Sequence, residues 1–447
     1  MVLGFCFVAY AYVSRNPEGG VALALVPSLF LTEDLHQNYW AFPEDRLWTF
    51  HSMKLVGPLR PTEIVMLVLL FSLVVRYWNR WHLLRSPLNR PVLVLLVLCP
   101  LFGLLSILRG SDPTFALAYN AWRSFWWAVV FYFFCLHALQ PSRIEYYFRV
   151  FFFAILLRMV MGAVAFTVGY GDVHLLYEDT AIVFWDGLDL HLASSLFLIS
   201  LAMLLGKQDW LSRGWSHFGL GISAFVILLS LRRGPVGNVV FGFLLLFLWL
   251  PLERRARILK GFALLVVVGA LVLGIADGFG EAPSVEFALE RASQVFEPNV
   301  ASAHTFHLFD PLDHLVAILK DPILGIGFGT PIQRTFLITE EEATFSHNAY
   351  LGVWGGMGIV GLIAYLALYY RTLRLGREVF ISSGKAMLVA GLVGVILSAL
   401  VQGIYSTGPF TSSRMPFVLF FSTALLVKYQ ERLCDREAGK LATAKVS

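Results

Sequence analysis

The chain has 447 residues, of which 57% are hydrophobic, 15% aromatic and only 14% charged, against roughly 25% charged in an ordinary soluble domain. Its 34 Lys plus Arg and 30 Asp plus Glu leave a formal net charge of +4, too small for a polyanion-binding protein, which excludes nucleic acid as a partner. Cys6, Cys99 and Cys135 lie in apolar runs and Cys434 in a charged tail, a pattern that frames neither a disulfide scaffold nor a thiolate metal site.

A helical membrane crossing needs about 20 apolar residues at a rise of 1.5 Å each. In chain order, weaker runs span Val2 to Val13, Gly19 to Leu31 and Ile64 to Trp78. Stronger ones span Pro91 to Leu108, Ser124 to Leu139, Tyr146 to Val168, Leu190 to Leu205, His217 to Leu231, Val239 to Leu250 and Ile258 to Ile275. After a long polar interval come Ser346 to Tyr370, Ala386 to Tyr405 and Phe417 to Val427. The predicted fold is all-α: a polytopic integral membrane protein with about 12–13 transmembrane helices and one large, partly helical periplasmic loop. Residues 1–275 are N-terminal transmembrane helices, 276–345 the loop, and 346–447 the C-terminal helices and cytoplasmic tail, together one integrated membrane domain. The first run is too short and too uncharged at its start for a signal peptide.

Lys and Arg accumulate in short cytoplasmic loops. An alternating in/out assignment places 22 of the 34 basic residues and 8 of the 30 acidic ones on one face. That face carries the Arg76 to Arg90 stretch, Glu253 to Arg257, Arg371 to Lys385 and the C-terminal tail, so it is cytoplasmic. The interval from Val168 to Leu190 holds five acidic residues and no Lys or Arg, as an outward loop should. Arg232 and Arg233 then fall at the outer end of a helix, against the positive-inside tendency; they either snorkel to headgroups or form an anion site. Arg109, Arg123 and Arg414 are outward and near helix ends, lesser candidates for the same contact. Arg158 sits inside an apolar run and must pair within the bundle.

The outer loop, far longer than a median connection of about 4–6 residues, carries the functional candidates. Asp310-Pro311 reads as an N-cap and first helical position, with Leu312, Leu315, Val316 and Leu319 on one apolar face. The helix stops at Lys320-Asp321-Pro322. Gly325, Gly327 and Gly329 follow in a tight, backbone-exposed turn able to approach a phosphate or sugar. No βαβ context supports dinucleotide binding there. Ser346-His347-Asn348-Ala349-Tyr350-Leu351 then leads into a Gly-rich helix whose small residues permit close approach by a neighbour.

An Arg-Gly step at an outer helix end (Arg233-Gly234), a large outer loop, Pro-x-Leu-Gly-x-Gly-x-Gly (Pro322 to Gly329) and Ser-His-Asn-x-Tyr-Leu before a Gly-rich helix together resemble the O-antigen ligase and polymerase superfamily. The resemblance is clearest from about Leu228 to Tyr370. It implies a bacterial inner-membrane, multi-pass protein that acts at the periplasmic face on undecaprenyl-diphosphate-linked glycans. Such a protein polymerises repeat units of a surface polysaccharide, O-antigen or exopolysaccharide, or ligates the glycan to an acceptor. It also implies that His347 and Arg233 are catalytic. Arg232, Arg291, Arg334, Asn348 and His307 are candidates for binding the diphosphate or sugar. Relatives commonly carry an arginine just before the amphipathic helix, where this chain reads His304-Thr305-Phe306-His307, which leaves the second phosphate-binding arginine open between Arg291 and Arg334.

The chemistry suits those residue types. A diphosphate leaving group needs its developing charge neutralised, the task of an arginine fork. The acceptor hydroxyl needs a proton acceptor, the task of an imidazole. The expectation is therefore a metal-independent glycosyltransferase with no cofactor. His304, His307 and His314 with Asp310 and Asp313 are the alternative metal set, made irregular by Pro311. Glu340 to Glu342 form either a solvated rim or an acid that orients His347. The expected partners are the lipid-linked glycan, an acceptor glycan or lipid, membrane lipids and other polysaccharide-assembly proteins. A transporter or flippase of lipid-linked oligosaccharide would instead need paired charges at mid-membrane or interrupted helices in corresponding halves. A noncatalytic subunit of an export machine would tolerate replacement of His347 and Arg233.

Overall fold

The computed structural model describes residues 2–30, 59–77, 88–167, 187–206, 210–229, 233–249, 303–333 and 346–444, less positions 385, 407 and 413, with isolated positions 255, 263 and 267. Among them the regular structure is helical. The long helices are α1 (Val2–Arg15), α2 (Pro17–Phe30), α3 (Pro61–Tyr77) and α4 (Asn89–Leu108), then after the one-turn α5 (Pro113–Ala116), α6 (Ser124–Ala138) and α7 (Ile144–Thr167). There follow α8 (Gly187–Leu205), α9 (Arg213–Leu229), α10 (Arg233–Trp249), α11 (Ala303–Ile318), α12 (Ala349–Ser382), α13 (Met387–Gln402), the one-turn α14 (Gly408–Thr411) and α15 (Met415–Ala444). Each described apolar run of the sequence is thus a helix. The run from Ile258 to Ile275 lies almost wholly outside the described residues.

Among the described residues two helices are long and apolar enough to cross a bilayer, Asn89–Leu108 and Ala349–Ser382. At 20 residues α4 is about 30 Å long, the thickness of the hydrocarbon layer. Its exposed apolar side chains are Val94, Val97, Leu101, Leu104 and Leu108, one helical stripe at spacings of three and four. On α12, Val360, Ile363 and Leu366 are likewise exposed. In water these stripes would be aggregation surfaces; in hydrocarbon they face lipid. The interior is aromatic where α6 meets α15, with Phe131 against Phe417 at 5.5 Å and Phe421 at 6.0 Å, and Phe125 against Phe420 at 5.3 Å.

The contacts define two ends. At one, the end of α4 meets the glycine turn (Arg109 Nη1 to Gly325 O, 2.9 Å), and the end of α13 meets the start of α12 (Ala349 N to Gly403 O, 2.8 Å). The start of α6 meets α14 there as well (Ser124 Oγ to Thr411 O, 3.0 Å). At the other, Arg143 pairs with Glu18, Arg432 with Glu145 at 3.2 Å, and Arg149 Nε donates to Trp210 O at 2.6 Å. The first end is the face that the charge pattern reads as outward and the second the face it reads as cytoplasmic. The described part of the long loop, residues 303–333, packs on the first end. Arg158 is buried in α7 with a partner, as its place in an apolar run requires.

Candidate active site

Asp310 is not the N-cap that the sequence suggests. The helix begins two turns earlier, at Ala303, and runs through Pro311, because nothing from His304 to Phe309 breaks it and Pro311 removes only one backbone donor. Asp310 is thereby carried inside the helix, with its side chain 1% exposed. Its Oδ2 accepts the backbone N–H of His347 at 2.8 Å and faces the His347 Nδ1 at 3.2 Å. His347 itself is 28% exposed. One ring edge therefore meets a buried carboxylate while the side chain keeps access to the site.

The electrostatics fix the tautomer. Burial alone would raise the Asp310 carboxyl, but hydrogen bonds from the His347 side chain and backbone, with the His314 and His347 rings close by, hold it below its ordinary value. An ionised carboxylate only accepts, so the His347 Nδ1 donates in this contact, which in the neutral tautomer makes Nε2 the accepting nitrogen. His314, one turn along α11, donates Nδ1–H to the Asp310 carbonyl at 2.9 Å. Burial pushes its imidazole below the ordinary histidine value, against the opposing pull of Asp310.

Asn348 holds this arrangement at the start of α12. As N-cap, its Oδ1 accepts from the N–H of Tyr350 at 2.9 Å and Leu351 at 3.0 Å, two donors the helix itself leaves unpaired. Its Nδ2 donates to Ile404 O at 2.8 Å. The amide thus positions the start of α12, and its second Nδ2–H is not used in these bonds.

The glycine turn is also committed. Gly325, Gly327 and Gly329 all have positive φ, at 72°, 97° and 68°. A Cβ on Gly329 would stand 2.6 Å from Ala116 N, and one on Gly325 would strike Gly355 O. Gly327 N donates to Gly355 O at 3.0 Å, and Phe328 N to Ser106 Oγ at 2.7 Å. The turn wedges into a break in α12 at Gly358, where φ is 65° and ψ is −173°. There Ile359 N donates to Pro322 O at 3.2 Å. This corrects the expectation that the turn is exposed to a phosphate or sugar: Gly325 allows close approach by α12, Gly327 by α4 and Gly329 by α5. The small residues of α12 accordingly receive the turn, with Gly356 lying against the Phe328 ring.

Two of the lesser arginine candidates are taken up likewise. Arg109 reaches Gly325 O and lies 3.4 Å from Asp321. Arg123 forks onto Glu63, which is fully buried and also accepts from Trp127 Nε1 at 2.7 Å. Arg414 is buried just before α15. Arg233 opens α10 and His307 lies in α11, but their side chains are outside the described set, as is that of His304. Arg232, Arg291, Arg334 and Glu340 to Glu342 lie outside the described residues. Among the described residues no group of three or more His, Cys, Asp or Glu could hold a metal ion.

Residues 218–366 match the family model described as O-antigen ligase. No curated protein matches the chain. A chain from a solved structure described as "Structural coordination of polymerization and crosslinking by a peptidoglycan synthase complex" aligns over 82% of this chain and 97% of its own length. Its identity is 18% and its TM-score 0.37, too loose a likeness to compare the folds. The matched segment runs from α9 through the first half of α12 and holds Arg233, Asp310, the glycine turn and His347, so the family match supports the resemblance to the O-antigen ligase and polymerase superfamily over the residues that carry it.

Proposed function

We propose that the protein is a metal-independent, inverting glycosyltransferase of the bacterial inner membrane, acting at the periplasmic face on undecaprenyl-diphosphate-linked glycans. It either polymerises repeat units of a surface polysaccharide or ligates the glycan to a terminal acceptor, a glycan or a lipid. The observation that carries this reading is the Asp310–His347 pair, inside the segment that matches the O-antigen ligase family. Such a pair is built to take a proton from a hydroxyl.

In the proposed reaction the acceptor oxygen attacks the anomeric carbon and its proton passes to His347 Nε2. The Nδ1–H remains on Asp310, whose negative charge stabilises the imidazolium that forms. As the new C–O bond forms, the bond to the diphosphate breaks and the leaving group departs on its lipid. Arg233, at the start of α10, takes up the charge that develops there, with Arg232 and one of Arg291 or Arg334 as the further cations. The helix start also favours an anion, through its unpaired N–H groups. His307, in α11 one turn before Asp310, remains a sugar-binding candidate.

The test is the surface-glycan size profile of a deletion strain complemented with wild type, His347→Ala or Arg233→Ala, with membrane levels matched. Restoration by wild type alone supports the assignment. Loss of long chains with single capped repeats retained indicates a polymerase, and accumulation of long lipid-linked chains a ligase. Full restoration by both variants removes the catalytic roles and puts a transporter or assembly subunit in their place.

A further inference from the structure

Beneath the candidate site lies a polar layer that the proposed chemistry does not use. Tyr405 donates its hydroxyl to Asn238 Oδ1 at 2.7 Å, and Asn238 Nδ2 donates to Gln402 Oε1 at 2.9 Å. Asn238 and Gln402 are both buried. His191 of α8, fully buried, approaches Gln402 without closing a full hydrogen bond. One turn along α8, Ser194 Oγ donates to Pro235 O at 3.3 Å.

The layer joins the two helix ends that matter. Asn238 is five residues into α10, about 7.5 Å along the axis from Arg233. Gln402 to Tyr405 form the turn that receives Asn348 Nδ2 at Ile404 O and Ala349 N at Gly403 O, each at 2.8 Å. A continuous path of hydrogen bonds and short backbone steps therefore runs from the start of α10 to the start of α12. Apolar packing between membrane helices leaves depth and rotation soft, whereas a directed chain of amide hydrogen bonds sets both. Polar side chains are costly among lipid-embedded helices, and α13 is otherwise almost wholly apolar over Met387–Val401.

We propose that Asn238, Gln402 and Tyr405 are positioning residues for glycan transfer. They fix the start of α10, with Arg233, against the start of α12, with His347, so that leaving diphosphate and incoming hydroxyl stand on opposite sides of one anomeric carbon. This rests on the glycan-transfer reading above. Because a misplacement of about 1 Å can cost on the order of 100-fold in rate, losing one link should appear in turnover before it appears in folding.

The experiment uses the purified full-length protein as wild type, Tyr405→Phe, Asn238→Ala and the double variant, assayed with a lipid-diphosphate-linked glycan donor. A parallel set carries spin labels at Val236→Cys and Ile323→Cys, both exposed positions, with the native cysteines replaced. The proposal expects kcat per folded molecule to fall about 10-fold or more in Tyr405→Phe, with the donor KM within about 3-fold. The double variant should be no worse than Asn238→Ala alone, and the label-to-label distance distribution should broaden. Wild-type kcat and an unchanged distribution in Tyr405→Phe, with an active wild type, overturn the positioning role alone. A wild type that transfers no glycan overturns the glycan-transfer reading and the positioning role with it.

Discussion

His347 and Asp310, 37 residues apart in sequence, meet through one carboxylate oxygen that accepts both the backbone N–H of His347, at 2.8 Å, and its ring Nδ1, at 3.2 Å. The backbone bond sets where the histidine sits and the ring bond sets which nitrogen is left to accept a proton. Asp310→Asn keeps the shape but lets the carboxamide donate to the ring, which permits the wrong tautomer. Glycan transfer should fall by roughly 100-fold to 10,000-fold at unchanged membrane levels, measured as turnover of a lipid-linked donor. Turnover within about 3-fold of wild type would deny the carboxylate this task.

The same helix makes the loop sensitive to acid. The folded-state value of His314 lies below its ordinary one near 6.5, so the unfolded chain binds the extra proton first as pH falls. The stabilisation is complete above about 6.5 and is lost as pH drops through the depressed folded value. The Asp310 carboxyl, also held below its ordinary value, adds a loss of the same sign further down, below about pH 4. Thermal melting in detergent from pH 7.5 to 5 should show a falling midpoint for wild type and a flatter profile for His314→Asn. Parallel profiles would separate the acid response from this histidine.

Much of the architecture was legible because burial and lipid exposure both leave long apolar runs; the boundaries of α4, α6 and α13 fall within a few residues of those runs. The site was legible only in part. His347 and Arg233 stand out through local motifs, but Asp310 shows as a helix cap because local rules place Asp before Pro at a helix start. Its partner is brought in by the tertiary fold. Asn238, Gln402 and Tyr405 carry no motif, since a hydrogen bond between residues 164 positions apart has no periodic signature. The glycines signalled a tight turn correctly, and only the structure shows that α4, α5 and α12 pack against it.

Gly358→Ala places an L side chain at φ 65°, with its Cβ against Ile323 O. That positive-φ, extended backbone is essentially glycine-only and alone costs roughly 1–3 kcal/mol, and the clash adds to it by pushing the turn out of the break. Folded yield by fluorescence-detected gel filtration should drop markedly, while Gly384→Ala, which also has positive φ but meets nothing within 4 Å, should lose far less. Equal yields would mean that the wedge is not what holds α12 and the turn together.

Glu63 and Arg123 test whether an outward arginine is structural. Removing one partner leaves a buried charge uncompensated, at a cost of about 3–5 kcal/mol. Glu63→Gln should therefore lower the amount of folded protein, and a paired Glu63→Gln, Arg123→Met variant should regain part of it with turnover per molecule near wild type. Failure of the paired variant to turn over despite normal folding would return Arg123 to the list of diphosphate ligands.

The central claim is that His347, oriented by Asp310, accepts the proton of the attacking hydroxyl. The most direct measurement is single-turnover transfer by the purified protein from a lipid-diphosphate-linked glycan, for wild type and His347→Ala, with donor binding measured in parallel. His347→Ala should bind the donor within about 3-fold of wild type but transfer roughly 100-fold or more slowly. Transfer by His347→Ala at the wild-type rate would contradict the assignment.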